Sequence, residues 1–217
     1  YSGAIAARLF SATVIPRHVI ILGPNHHGVG ADAAVFNRGY WQTPLGDVPI
    51  AGELADHLLQ SCSALQSDQL AHRLEHSIEV QVPLLQYLQP DLEIVPICLG
   101  TGGLDDWLEL GTLLGQALND WPQDVLIVAS SDMNHFQTAE ETSRLDHLAI
   151  DAVLALDPAR LYRTVRDNRI SMCGVIPSVI MLQAALERGA TQCRLVHYGH
   201  SGEVNGDMTK VVGYAAL

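Results

Sequence analysis

The sequence predicts an α/β fold of three layers, αβα, around a central, mostly parallel (mixed) sheet. Three observations carry this reading. Short apolar runs such as Val19-Ile20-Ile21-Leu22 and Val125-Leu126-Ile127-Val128 read as strands buried on both faces. Such runs alternate along the chain with stretches of helical period. Polar clusters follow directly after the strands, at the carboxyl edge where open α/β sheets bind ligands. With 217 residues, 48% of them hydrophobic and 17% charged, the chain suffices for a single well-buried domain over 1–217.

Residues 2–11 read as a helix and 17–22 as a strand. Thr43-Pro44-Leu45-Gly46-Asp47 is a turn signal between short extended segments, which predicts a hairpin over 40–50. A helix is expected over 52–60, and a longer one over 75–88 that opens on acidic residues, as the helix dipole favours. Pro83 falls inside that longer helix, so a kink or break is expected near Gln81. Residues 93–99 read as a strand, 104–119 as a helix and 124–130 as the second buried strand. Helices follow over 138–156, 158–167 and 175–188. The last has Pro177 in its first turn, where a missing N–H costs nothing, and Gly189 as its stop. Strands over 192–198 and 210–216 close the chain, with no internal repeat or low-complexity tract.

The formal charge is −12, from 12 Lys and Arg against 24 Asp and Glu, and the chain has no Lys/Arg cluster. A nucleic-acid or anionic-membrane partner is therefore not expected, which leaves small molecules, cations or protein partners. Cys62, Cys98, Cys173 and Cys193 form no C-x-x-C pair. Neither a disulfide framework nor a zinc knuckle is indicated, and a reducing, cytoplasmic compartment is expected. No apolar run approaches the roughly 20 residues that span a bilayer.

Two strand ends carry polar clusters: Pro24-Asn25-His26-His27-Gly28 after the first, and Ser130-Ser131-Asp132-Met133-Asn134-His135 after the second. Both loops can meet at one edge of the sheet, where histidine suits metal binding and proton transfer near neutral pH. Asp132 and His135 lie three apart, so the carboxylate can orient the imidazole; the alternative is a helix cap beside a surface ring. In Glu75-His76-Ser77-Ile78-Glu79, His76 and Glu79 share a helical face. His72 precedes His76 by four residues without the glutamate of H-E-x-x-H, and reads as solvated. His18, His57 and His147 read as structural or surface residues. Cys173 stands before a helix start, where a thiol's pKa can fall, so it is a candidate nucleophile or soft ligand; the alternative is a small buried apolar residue. The glycine-punctuated loop over 198–207 offers His200, Glu203 and Asp207 as candidate ligands. These residues can supply the two-histidine, one-carboxylate set of non-heme iron(II) sites, although zinc uses similar ligands.

At these same loops the chain resembles the Memo-like family, called AmmeMemoRadiSam system protein B in bacteria and archaea. The matching segments are 21–27 (Ile-Leu-Gly-Pro-Asn-His-His), 75–83 (Glu-His-Ser-Ile-Glu-Val-Gln-Val-Pro), 130–135 (Ser-Ser-Asp-Met-Asn-His), Cys173-Gly174 and 211–216 (Val-Val-Gly-Tyr-Ala-Ala), in the family's order along the whole chain. The resemblance implies the fold of the class III extradiol dioxygenases, whose iron is held by two histidines and a glutamate. From eukaryotic relatives it implies metal-dependent redox chemistry and peptide binding. It places His26 on the family's metal-binding histidine, and Asp132 and His135 on its pocket residues. A further family histidine lies in a Pro-His-Ala-Gly-Tyr motif just before the Tyr-Ser-Gly matched by Tyr1-Ser2-Gly3. The resemblance therefore implies a Memo-like domain lacking its N-terminal segment, with weak or absent metal. Eukaryotic members carry a cysteine where this chain has Val204, which makes neighbouring Glu203 the expected substitute ligand. The bacterial name also implies partnership with a radical-SAM protein and a small companion protein.

The resulting expectation is a cytoplasmic oxidoreductase using Fe(II), with zinc or copper as alternatives. His26 and Glu203 would bind the metal, and His135 would act as acid/base or bind dioxygen. Asp132 would orient His135, and His76 and Cys173 would complete the catalytic set. A second reading is a non-catalytic metal- or peptide-binding pocket, and a third is a Cys173-dependent hydrolase with His135 as base.

Overall fold

The computed structural model describes residues 1–217. In chain order the elements are α1 (Gly3–Ser11), β1 (His18–Pro24), β2 (Ala33–Val35), β3 (Tyr40–Thr43), β4 (Gly46–Pro49), α2 (Gly52–Ser61) and β5 (Gln66–Ser67). A 3-10 turn (Leu70–His72) leads to α3 (Val82–Leu88), β6 (Glu93–Leu99), α4 (Leu104–Asn119) and β7 (Val125–Ala129). The chain ends with β8 (His135–Gln137), α5 (Ala139–Leu154), α6 (Pro158–Asp167), α7 (Val175–Glu187), β9 (His197–His200), α8 (Gly202–Asn205) and β10 (Val211–Ala216).

The central sheet has the order β5-β2-β6-β1-β7. β1 runs parallel to both β6 and β7, and β5 parallel to β2; only the β2–β6 pair is antiparallel, which makes the sheet mixed. Successive residues of β1 serve opposite faces. Val19 and Ile21 pack towards α1, α3 and the β3–β4 hairpin, whereas Ile20 and Leu22 join the larger core under α2, α4, α5, α6 and α7. The expected three layers follow from that alternation. A second, antiparallel sheet, β8-β10-β9, stands beside the first, and no helix is long and apolar enough to cross a membrane.

Glu93–Leu99, Leu104–Asn119 and Pro158–Asp167 form where their periods predict, and Gly189 stops α7 with φ +84°. The helix expected over 75–88 is shorter: only Val82–Leu88 is helical, and residues 77–81 make turns. Pro83 lies in the first turn and starts this helix instead of kinking a longer one. The N–H groups of His76 and Ser77 go to the Glu75 carboxylate, so the shared helical face expected for His76 and Glu79 does not form. His72 is buried, not solvated, with Nε2 3.1 Å from the Ala34 carbonyl. The last strand pair is shifted: β9 is His197–His200, because it pairs with Gly213–Ala216 of β10.

Candidate functional site

β1 and β7 are adjacent and parallel, with Leu22 opposite Ala129, so the loops that follow them emerge side by side. Between these loops, α1 and β10 lies a cavity of about 520 Å³. Its polar wall includes His26, His76, Ser130, Asp132, His135 and Cys173; α1 and α3 add Leu9, Phe10 and Leu84.

His26 is held by Glu75. Glu75 Oε2 accepts from His26 N at 2.7 Å, and Oε1 accepts from His76 N at 2.9 Å and Ser77 N at 3.0 Å. His26 Nδ1 lies 2.8 Å from Oε1. The Glu75 side chain is only 2% exposed. Burial alone would raise its pKa, but these donors together hold the carboxyl down at about 2, so it is ionised. An ionised carboxylate can only accept, which puts the His26 proton on Nδ1 and leaves Nε2 with its lone pair and no hydrogen-bond partner. Glycine is required at position 23 for this arrangement, since a Cβ there would collide with Ser77 and Ile78 of the strap that carries Glu75. The strap is tied to both strand ends: Ser77 Oγ donates to Pro24 O at 3.3 Å, and Ser130 Oγ to Ser77 O at 2.6 Å.

His76 stacks on His26, with ring centroids 5.0 Å apart and planes 11° from parallel. Candidate ligand atoms of His26, Glu75 and His76 all lie within 4.8 Å of one another. Both Glu75 oxygens are already engaged, so the carboxylate orients His26, and the open donors of this group are imidazole nitrogens.

Across the cavity, His135 Nε2 lies 3.5 Å from Asp132 Oδ2, and Nδ1 donates to the Ser171 carbonyl at 2.7 Å. The Asp132 carboxylate raises the His135 pKa; burial opposes it and the Ser171 carbonyl assists. Asp132 is not a helix cap, since Thr138 caps α5. Cys173 Sγ accepts from Asp132 N at 3.1 Å. Burial pushes the Cys173 thiol up, contrary to the lowered value expected of a helix start, and this disfavours the nucleophile.

The sequence family model described as Memo-like protein matches residues 1–217. The chain belongs to the Memo-like family. Similar relatives include MEMO1 family proteins of Methanosarcina acetivorans, 39% identical over 218 residues, and Methanopyrus kandleri, 36% identical over 221. The alignments cover all of this chain, 80% of the first relative and 78% of the second. A crystal structure of an uncharacterized protein from Escherichia coli K12 superposes with a TM-score of 0.59 over 96% of this chain and 90% of that one. At 14% identity it shares the fold alone.

This Memo-like chain brings five of the six site residues expected from sequence, His26, His76, Asp132, His135 and Cys173, to one cavity. Glu203 is the exception and corrects the expected ligand set. It sits on α8, outside the cavity lining, where its carboxylate accepts from His200 N at 3.2 Å. Glu75 was missed as a site residue. It opens the matched segment 75–83, but apart from the His26 ring its partners are backbone N–H groups, which carry no residue code.

Proposed function

We propose that this Memo-like chain is a metal-dependent oxidoreductase of dioxygenase-like type, with non-heme iron(II) held through His26. The observation that carries this reading is the His26 ring itself, fixed by buried Glu75 with Nε2 presented unpartnered at a cavity. A histidine whose other nitrogen is bound to a carboxylate is the usual form of a metal-ligating imidazole. His76 is exposed, so a small rotation can bring a second nitrogen to the same ion. Imidazole donors suit iron, zinc and copper alike. When bound, iron(II) supplies a Lewis-acid centre with open positions for substrate and dioxygen.

Around that centre the chain's own groups divide the work. Glu75 keeps the proton on His26 Nδ1. His135 holds or releases a proton at Nε2, and Asp132 stabilises its charged form. Leu9, Phe10 and Leu84 offer an apolar wall that excludes water and receives the carbon skeleton of a small organic substrate. Anaerobic iron(II) titration followed by dioxygen uptake with catechol-type compounds tests the reading. Iron is expected to bind the wild type more tightly than His26→Ala; equal binding by both proteins overturns the assignment.

The same apolar wall favours a second reading, a pocket that binds a small molecule or peptide without turnover. Ligand binding that survives removal of the metal, with no dioxygen uptake, selects it.

A further inference from the structure

His135 is gripped from behind by residues that do not line the cavity. Asn134, in the loop between β7 and β8, is 1% exposed. Its Oδ1 accepts from Ser171 N and Ser171 Oγ, both at 3.1 Å, while its own N donates to Asp146 Oδ1 at 2.8 Å. Ser171 then closes on His135 twice: Oγ accepts from His135 N at 2.8 Å, and the carbonyl accepts from Nδ1 at 2.7 Å. Asp146, fully buried on α5, takes the Tyr198 hydroxyl on its other oxygen at 2.9 Å. The carboxylate lies so close to β10 that a Cβ at Gly213 would occupy its place.

Packing alone does not account for such a cluster, since apolar residues would fill the same space without desolvating a carboxylate. Its endpoint is specific. A carbonyl can only accept, so the Ser171 oxygen places the proton of neutral His135 on Nδ1 and leaves the Nε2 lone pair on the cavity side, 3.5 Å from Asp132 Oδ2. The backbone at this point is also unusual. Phe136 is the extra residue of a bulge between β8 and β10, with φ +64°. Bulges re-aim the side chains beside them.

We propose that Asn134, Ser171 and Asp146 are positioning residues for His135, a hydrogen-bond chain that fixes the ring and its tautomer so that Nε2 alone exchanges the proton. The proposal rests on the acid/base role given to His135 above. The charged groups acting on His135 are Asp132 beside it, which every variant below leaves in place, and Asp146 behind it, which is varied.

Imidazole nitrogen NMR of the folded chain, with His135 assigned by its absence in His135→Gln, reads tautomer and titration directly. Neutral His135 is expected as the Nδ1–H tautomer in the wild type. Ser171→Ala is expected to give mixed tautomers and a lower titration midpoint, Ser171→Thr to restore both, and Asp146→Asn to lower the midpoint. Ser171 is exposed, so its variants carry the test even if Asp146→Asn fails to fold. An Nε2–H tautomer in the wild type, or an unchanged tautomer and titration in folded Ser171→Ala, overturns the proposal. His26→Ala separates the two readings: it weakens iron binding while leaving the His135 spectrum as it is.

Discussion

Two buried carboxylates stand behind His26 and His135 of this cavity, and their pKa values shift in opposite directions. Glu75 accepts three backbone N–H groups and the His26 ring, and is held at about 2. Asp146 is buried on α5 with one backbone N–H and one tyrosine hydroxyl, and burial pushes it up to about 6. The difference lies in the number of donors each receives. Four donors replace the water that an anion loses on burial, and two do not. Glu75 is therefore a permanent charge that fixes a ring, whereas Asp146 changes its charge near neutral pH.

Removing the well-served anion gives the largest expected effect. Glu75→Ala leaves three backbone N–H groups and the His26 Nδ1 proton without their acceptor, a loss of about 3 kcal/mol or more. Chemical denaturation checks the stability, and iron titration should show binding lost with it. Glu75→Gln keeps the volume and one acceptor oxygen, so about half that loss is expected. A Glu75→Ala protein as stable as the wild type would break the comparison.

Asp146 gives the opposite sign with pH. Its folded pKa, about 6, lies above its ordinary 3.8, so the folded state binds the proton more tightly than the unfolded state. Its contribution is most favourable below the ordinary value, declines as pH rises towards 6, and is then constant, a fall of about 3 kcal/mol at most. Glu75 behaves inversely: its contribution is full above its ordinary 4.5 and is lost as pH falls towards about 2. The stability of wild type minus that of Asp146→Asn, measured by denaturation from pH 4 to pH 7, should fall across that window. A flat difference would mean that Asp146 is charged throughout, like Glu75.

The carboxylate that faces the cavity gives a smaller effect. Asp132 is 44% exposed, so Asp132→Asn should cost about 0.5 kcal/mol or less after solvent screening. Its influence should appear in His135, whose titration is expected to move down when the acceptor of its charged form is removed. Because the folded value of His135 is raised, its contribution is full below the ordinary histidine value and is lost as pH rises through the folded one. An unchanged His135 titration in Asp132→Asn would assign the raised value to the Ser171 carbonyl and Asp146 instead.

The same contrast explains what could be read in advance. β1, β6, α4 and α6 are long enough to show a period, and their limits fall at or near the expected ones. β2, β5 and β8 have three residues or fewer, too short for any period, and they form because a longer neighbour supplies partners. His26, Asp132 and His135 were legible because each follows a buried strand. Glu75 was not, because an anion made useful by backbone N–H groups looks in sequence like any acidic residue near a helix start. Asp146 was hidden for a related reason: on α5 it is one carboxylate among several, and only the approach of Gly213 and Tyr198 distinguishes it. Glu203 was misplaced because counting back from Tyr214 gives a position in the chain but not a direction in space.

Cys173 also carries only a small expected effect, and it decides the last rival reading. Its sulfur accepts the Asp132 N–H, and Ser131 Oγ accepts the neighbouring Gly174 N–H at 2.8 Å, so the pair clasps the Asp132 loop to the start of α7. A thiol in that role has no need to ionise, and burial raises its pKa. Cys173→Ser retains an acceptor and should change stability and iron binding little, within about 1 kcal/mol; Cys173→Ala should lose slightly more. Alkylation of Cys173 in the native protein should be slow at neutral pH and accelerate only above the range of an ordinary thiol. Fast alkylation at pH 7 would show a thiolate beside Asp132 and restore the nucleophile reading. It would also mean that the N–H of Asp132 stabilises an anion, as the N–H groups around Glu75 do.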